Sequence, residues 1–360
     1  MTETGQVITG YANQLEPHAL LDNFLLYPPA GFDSRLSEQG VPYFITRFDL
    51  LTTADDDLRN KLRQWPGYRW WGKWLQINTG FVGTTVSEYA LLPNELTSAS
   101  LIHWIQHLGL CHKKLSIIKD LPVNSPLLSA EENARSQELI SFSEQQGFFL
   151  LEGQALAYVE IDFNSIDDYL ARLSHSRRRN LRRKLRSRDA LRLEIIETGD
   201  RRFLDTSWLE QLYRLYLAVY RQSDIHFDLL EPAFFTGLLQ DVSSGGRLFC
   251  YWEEETLVGW NLCYQHDGKL IDKYIGMNYP LALSHNLYFV SWFVNLEYAI
   301  DQGLNFYIAG WTDHQVKASL GASFSLTYHL VWVRNPLLRN LLKRYRHHFE
   351  GDATSEALPL

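Results

Sequence analysis

The chain has 360 residues, 46% of them hydrophobic, and a net charge of −8 at pH 7, so it can bury two cores or one extended one. Three cysteines without CxxC spacing and twelve histidines without HExxH-type spacing support neither a disulfide framework nor a metal site, and none is expected. The N-terminus shows no basic stretch followed by an apolar run, and no apolar segment reaches membrane-spanning length, so a cytoplasmic protein without a transmembrane segment is expected.

Residues 1–40, with Pro28-Pro29 and several glycines, read as an irregular surface arm with one short helix near Pro17 to Phe24. From Val41 the pattern tightens. TRFDLLTT reads as a strand leading to a helix over Asp55 to Gln64, whose opening acids suit the helix dipole. In WPGYRWWGKWL, Trp65, Trp70, Trp71 and Trp74 are interleaved with Arg69 and Lys73. This is either aromatic packing or a lid over an acyl chain or a lipid surface, because an indole joins an apolar body to a polar edge. GFVGTTVSEYALLP follows as one or two strands, with Glu88 either facing solvent or held in a cleft. Glu95 to Leu108 then reads as a helix and Lys114 to Lys119 as a strand. Ser129 to Gln146 reads as a helix capped by Ser129 and ended by Gly147, and Phe148 to Asp162 as a strand pair.

Residues 164–190 form a join, opened by Ser165 and Asp168 at capping-box spacing. Eight of the 34 basic residues fall between Arg177 and Arg188 with no acid among them. Leu170, Leu173, Leu181 and Leu185 share one stripe at helical spacing, so this helix docks by a leucine ridge and keeps its Arg face outward. That face is either a solvated surface or a phosphate site, since guanidinium forks bind phosphate oxygens bidentately.

After a strand over Arg192 to Glu197 come helices over Ser207 to Arg221 and Glu231 to Val242, separated by the connection Asp224 to Asp228. Thr256 to Gln265 and Lys269 to Met277 are strands joined by His266-Asp267-Gly268, hence antiparallel neighbours. A period of two puts Leu270, Asp272, Tyr274 and Gly276 on one face of the second, and Lys273 on the other. A mostly buried helix, opened by Ser284 and closed by Gly303, crosses to the strand IAGWTD and the short helix HQVKASLGA, a βαβ crossover. Residues 336–350 read as a basic helix and residues 351–360 as a disordered tail.

The order helix, strand, helix, strand in Glu95 to Asp162 recurs in His285 to Val333, as pattern and not as letters. With IAGWTD before HQVKASLGA, the basic SRRRNLRRKLRSR, and TRFDLLTT with FVGTTVSEYALLP, the chain resembles the Fem-like, GNAT-fold N-acyltransferases over Val41 to Phe349. The resemblance implies an α/β (α+β) fold of two tandem GNAT-like units, each a mixed, mostly antiparallel twisted sheet flanked by helices. A degenerate unit would span residues 41–163, a basic linker helix 164–190 and the acyltransferase unit 191–335. The implied reaction moves an acyl or aminoacyl group from an activated donor to an amine of a small-molecule or cell-envelope precursor.

Such a transfer needs a free amine, a polarised carbonyl and donors for the tetrahedral oxyanion. In GNAT enzymes the donors are backbone N–H groups where the fourth strand splays from the fifth. The resemblance carries that strand to Lys269–Met277 and the donors to Ile275 and Gly276. Candidate acid–base residues are Asp272, Tyr274, Asp313 and His314, with Asp313 equally readable as a helix N-cap. The acceptor side takes Glu88, Asp224, His226, Trp311 and Lys317. The donor side takes Arg178, Arg182, Arg186, His285 and Asn286. The Q/R-x-x-G-x-G/A loop that cradles the CoA pyrophosphate in acetyl-CoA-dependent members has no counterpart here, where the chain reads YPLALSHNLY. Three donors stay open, none a tightly bound cofactor: an acyl-CoA held differently, an acyl carrier protein docked on the Arg-rich helix, or an aminoacyl-tRNA. The alternative is a GNAT-fold binding module without catalysis, for a phosphorylated ligand or an acyl carrier protein.

Overall fold

The computed structural model of the protein describes residues 10–52, 56–223 and 227–346. The tail expected over residues 351–360 lies outside them. The main elements begin with α1 (His18–Leu26), β1 (Asp33–Leu36), β2 (Pro42–Asp49), α2 (Asp56–Gln64), β3 (Gln76–Val82) and β4 (Leu115–Pro122). There follow α3 (Ala130–Gln145), β5 (Phe149–Glu152), β6 (Leu156–Glu160), α4 (His175–Leu185), β7 (Arg192–Glu197), α5 (Thr206–Gln222) and α6 (Pro232–Gln240). The chain continues through β8 (Gly246–Glu253), β9 (Thr256–His266), β10 (Lys269–Met277), α7 (Leu287–Asp301) and β11 (Phe306–Gly310). It closes with α8 (His314–Leu320), β12 (Ser323–Ser325), β13 (Thr327–Val333) and α9 (Pro336–Arg344).

Two compact units result, one of residues 1–14, 31–155 and 325–360, the other of residues 15–30 and 156–324. The first is built on a six-stranded sheet in the order β1-β2-β3-β4-β13-β5. Its strands pair antiparallel except β3 with β4, which run parallel. The second is built on the order β12-β6-β11-β10-β9-β8-β7. There the parallel pair is β10 with β11, and β7 to β10 and β6 with β11 pair antiparallel. Each sheet thus repeats one GNAT-like plan, a parallel pair with an antiparallel strand beside it.

That flanking strand departs from the expected boundaries. In the first unit it is β13, expected in the second; in the second unit it is β6, expected in the first. The chain leaves the first sheet after β5 through Gly153, whose N–H donates to Thr327 O at 2.9 Å. A Cβ at Gly153 would stand 2.4 Å from Thr327 Oγ1, so the close approach needs glycine.

The expected surface arm is also partly core. In α1 the side chains of Leu20, Leu21 and Phe24 are buried, and Asn23 Nδ2 donates to Phe234 O of α6 at 2.9 Å. An apolar stripe on a helix gains by packing wherever it falls in the chain. The core of the second unit gathers around α7, where Val290, Trp292, Phe293, Val294 and Leu296 are all buried. α7 does not open at Ser284: residues Leu281–Ser284 make their own short turn, and Asn286, left-handed at φ 50°, stands at the N-cap. α4 docks through Leu181, which is buried, and Leu185; Leu170, buried, and Leu173 pack on the same core from a separate short helix, Ile166–Ala171, and the turn after it, so the leucine stripe spans two elements and not one.

Candidate active site

A β-bulge decides what β10 presents. Its register against β9 runs Ile275 to Asn261 and Tyr274 to Leu262, then jumps to Asp272 opposite Cys263. Lys273 is the extra residue, and one extra residue flips the alternation of side chains. Asp272 therefore faces α7 and β11, while Tyr274 meets Phe234 and Phe235 of α6 edge-on, at 5.8 and 5.4 Å between ring centroids. Gly276 lies on the α5 side, where a Cβ would stand 2.3 Å from Trp260 Nε1 and 2.9 Å from Leu215 Cβ. The expectation that Leu270, Asp272, Tyr274 and Gly276 share one face fails at the bulge. Lys273 pairs with Glu16 at 3.6 Å, both side chains buried.

Asp272 sits in a web of hydrogen bonds. Its Oδ2 accepts from Asn295 Nδ2 of α7 at 3.0 Å and from the Tyr307 hydroxyl of β11 at 3.1 Å. Asn261 Nδ2 donates to Asn295 Oδ1 at 3.1 Å, and the Tyr251 hydroxyl donates to Asn261 Oδ1 at 3.0 Å. Cys263 Sγ lies 3.6 Å from Asp272 Oδ1. Asn261 and Asn295 are wholly buried, and such groups persist only when their donors and acceptors are matched. Burial pushes the Asp272 carboxyl up to about 6, against the opposing pull of the Tyr307 and Asn261 hydrogen bonds and the Lys317 charge. Burial, and after it the Asp272 charge, push the Tyr307 hydroxyl and the Cys263 thiol well above their ordinary ranges.

The strands open at this point. β10 and β11 share a register only from Lys269–Phe306 to Ile271–Ile308, so Asp272 is the first residue past their last paired position. Lys317 of α8 is buried, and its Nζ and the Asp272 carbonyl both stand 3.9 Å from where a Cβ on Gly310 would be. Gly310 is left-handed at φ 80°. Asp313, exposed and left-handed at φ 58°, holds the N-cap position of α8 without a side-chain capping bond. Its charge helps raise the Tyr279 and Tyr288 hydroxyls, after burial, so it stands near both. His314 packs on the Phe324 ring at 5.5 Å, and Trp311 is half-buried.

The remaining candidates lie elsewhere. His285 Nε2 contacts Glu253 Oε1 at 2.9 Å, and Asn286 Nδ2 donates to Ser187 Oγ at 3.0 Å, so both tie α7 to its neighbours. Glu88 belongs to the first unit, buried in a bend rather than facing solvent from a strand. Asp224 and His226 lie outside the described residues. The Arg face is answered by acids that come from other stretches of chain: Arg182 binds Asp167 at 2.8 Å and Arg188 binds Glu297 at 2.5 Å. Lys184 covers the Phe289 ring at 3.2 Å. Arg182 and Arg186 line a cleft of about 570 Å³ shared with Asp167, Asp189, Glu297 and Asp301. Arg178 is half-buried on the same helix.

Asn261, Asn295 and Tyr307 were not singled out from the sequence. The signal was there in part, since each asparagine is the lone amide in an apolar run, VGWNLCY and VSWFVNLEY. Among the described residues no group of three or more His, Cys, Asp and Glu is placed to hold a metal, and no helix is long and apolar enough to cross a membrane.

The fold is similar to that of FemX, at 11% identity and a TM-score of 0.54 over 91% of this chain and 94% of that one. It is similar to a C-terminal domain described as that of a lysylphosphatidylglycerol synthetase from Agrobacterium fabrum, at 12% identity and a TM-score of 0.53 over 96% and 93%. L-PGS from Bacillus licheniformis gives 12% identity and a TM-score of 0.50 over 96% and 99%. No curated protein matches the chain. The FemAB-like family model, described as peptidoglycan biosynthesis/recognition, matches residues 111–357, more than half of the sequence, and the chain belongs to that family.

Proposed function

We propose that the second unit transfers an acyl or aminoacyl group from an activated donor to an amine, with Asp272 as general base. The observation that carries this reading is a carboxylate raised to about 6, braced by Asn295 and Tyr307, at the place where β10 and β11 part. A base poised near the working pH is ionised yet still basic enough to accept a proton. The amine nitrogen attacks the donor carbonyl carbon as its proton passes to Asp272, and the carbonyl electron pair moves onto oxygen. That oxyanion is given to the backbone of β10 at Ile275 and Gly276. One of these two N–H groups turns to the open edge and the other to β9, because consecutive strand residues direct their N–H groups to opposite sides. When the carbonyl re-forms, the bond to the leaving thiolate or ribose oxygen breaks, and the proton held by Asp272 can return to it. Lys317 and Asp313 serve the charge of the acceptor or the leaving group.

The family's link to peptidoglycan favours a cell-envelope precursor as the acceptor, and a fold relative named for lysylphosphatidylglycerol makes aminoacyl the group to try first. The donor is sought among aminoacyl-tRNA, acyl-CoA and acyl carrier protein, all of which are cytoplasmic, with the Arg178, Arg182 and Arg186 face as the docking side. Incubation with each labelled donor and candidate amines should yield a labelled amide. Asp272→Asn should lower kcat by about 10²–10⁴-fold with the fold intact. Undiminished turnover in that variant would remove Asp272 from the mechanism, and no amide from any donor would leave a binding module.

A further inference from the structure

The first unit gathers exposed apolar side chains at one end of its sheet. Between α2 and β3 the side chains of Trp65, Trp70 and Trp74 are 63%, 86% and 81% exposed; Trp71 is tied in by a hydrogen bond to Pro66 O and by the Tyr68 ring, and Trp65 meets the Trp71 ring edge-on at 6.3 Å. Aromatic packing thus engages Trp65 and Trp71, while Trp70 and Trp74 present most of their surface to solvent. On α9, Leu337 and Leu341 are 81% and 52% exposed, and Leu108, in the connection before β4, is 55% exposed.

Strand register puts these three segments together. Leu115, the first residue of β4, is opposite Thr79, the middle residue of β3, and opposite Val333 at the end of β13, so β3 starts three residues beyond that level. The start of β3, the start of β4 and the end of β13 therefore share one edge of the sheet, with β3 and β13 about 10 Å apart on either side of β4. The tryptophan segment, the Leu108 connection and α9 all attach there.

The same segments are basic on a protein of net charge −8. Leu58 to Leu75 contains Arg59, Lys61, Arg63, Arg69 and Lys73 and no acid. Arg334 to Arg346 again contains five bases and no acid, and Lys113 and Lys114 precede β4, with Arg334 N donating to Lys114 O at 3.1 Å. The acids nearest the two longer segments in sequence, Asp49, Asp55 to Asp57, Glu350 and Asp352, are outnumbered.

We propose that this end of the first unit seats on the surface of an anionic lipid bilayer, independently of the transfer reaction in the second. Indoles settle at the headgroup level, leucines reach the acyl boundary, and arginines and lysines meet lipid phosphates. Charge complementarity selects this occupant, because each base near the surface adds attraction to anionic lipid.

The test is co-sedimentation of the full chain with phosphatidylcholine vesicles containing or lacking phosphatidylglycerol. Binding is expected to the anionic vesicles, to weaken as salt rises, and to fall about tenfold in the double variant Trp70→Ser/Trp74→Ser and similarly in Leu337→Ser/Leu341→Ser. Brominated acyl chains should quench the fluorescence of the native chain, a readout that does not depend on how any variant folds. Absence of phosphatidylglycerol-dependent binding, or binding by both variants that equals that of the native chain, overturns the proposal. So does a concentration-dependent dimer that Trp70→Ser/Trp74→Ser dissolves, because the patch would then belong to a second copy.

Discussion

Asp272 carries a cost that pH should reveal. Its carboxyl is raised from 3.8 to about 6, chiefly by burial, so the folded state holds this proton more tightly than the unfolded chain does. The stability that follows is fully present below about pH 4 and is lost as pH rises to about 6, after which the ionised group is a constant burden. Asp272→Asn removes that burden while leaving an acceptor for Tyr307. Its melting temperature relative to the native chain should rise between pH 4 and pH 6 and stay level above, while activity falls. A difference that does not change with pH would mean that Asp272 titrates as an ordinary carboxylate. Asp272 itself was legible, as an acid inside an apolar strand. Its partners were not, because Asn295 sits on a helix read only for its hydrophobic faces, and nothing in the letters says that Asn261 and Asn295 meet.

At the scale of the element, the bulge at Lys273 is what sequence periodicity could not see. An inserted residue leaves no local mark, since KLIDKYIGM alternates acceptably in either phase. Only pairing with β9 shows the slip, and it separates Asp272 from Tyr274. The consequence for Tyr274 is that Tyr274→Phe should cost little activity, for the ring lies on the α6 side with Phe234 and Phe235. A loss comparable to that of Asp272→Asn would return Tyr274 to the reaction. Gly276 is constrained by packing whatever its backbone does for an oxyanion. A methyl there would meet the Trp260 indole at 2.3 Å and Leu215 at 2.9 Å. Gly276→Ala should therefore destabilise the fold by about 1–3 kcal/mol in denaturant titration, the usual range for overpacking. Wild-type stability would show that β10 yields at this point.

For the whole molecule, the repeated order of elements with the family resemblance pointed to two units, and the βαβ crossover to the parallel pair of the second, but the ownership of β6 and β13 was not legible. Non-local pairing is not encoded in local propensity, so a strand read as the last of one unit can complete the other. This makes the boundaries testable by dissection. A fragment of residues 191–335, cut where the sequence suggests, retains β13, whose sheet partners β4 and β5 are missing, and lacks β6, the neighbour of β11. The edge Phe306–Gly310 would then be left open with an apolar strand on it, a template for aggregation. A fragment of residues 156–324 keeps β6 beside β11 and lacks only α1 and the Glu16 partner of Lys273 from its own unit. The shorter cut should be insoluble or give collapsed amide NMR spectra, whereas residues 156–324 should give dispersed ones at reduced stability. Two losses explain the reduction: the buried Leu20, Leu21 and Phe24 of α1, and the Glu16 carboxylate beside the Lys273 ammonium. Lys273→Met in the same fragment should recover part of it. A well-dispersed spectrum from residues 191–335 would show that the second sheet closes without β6.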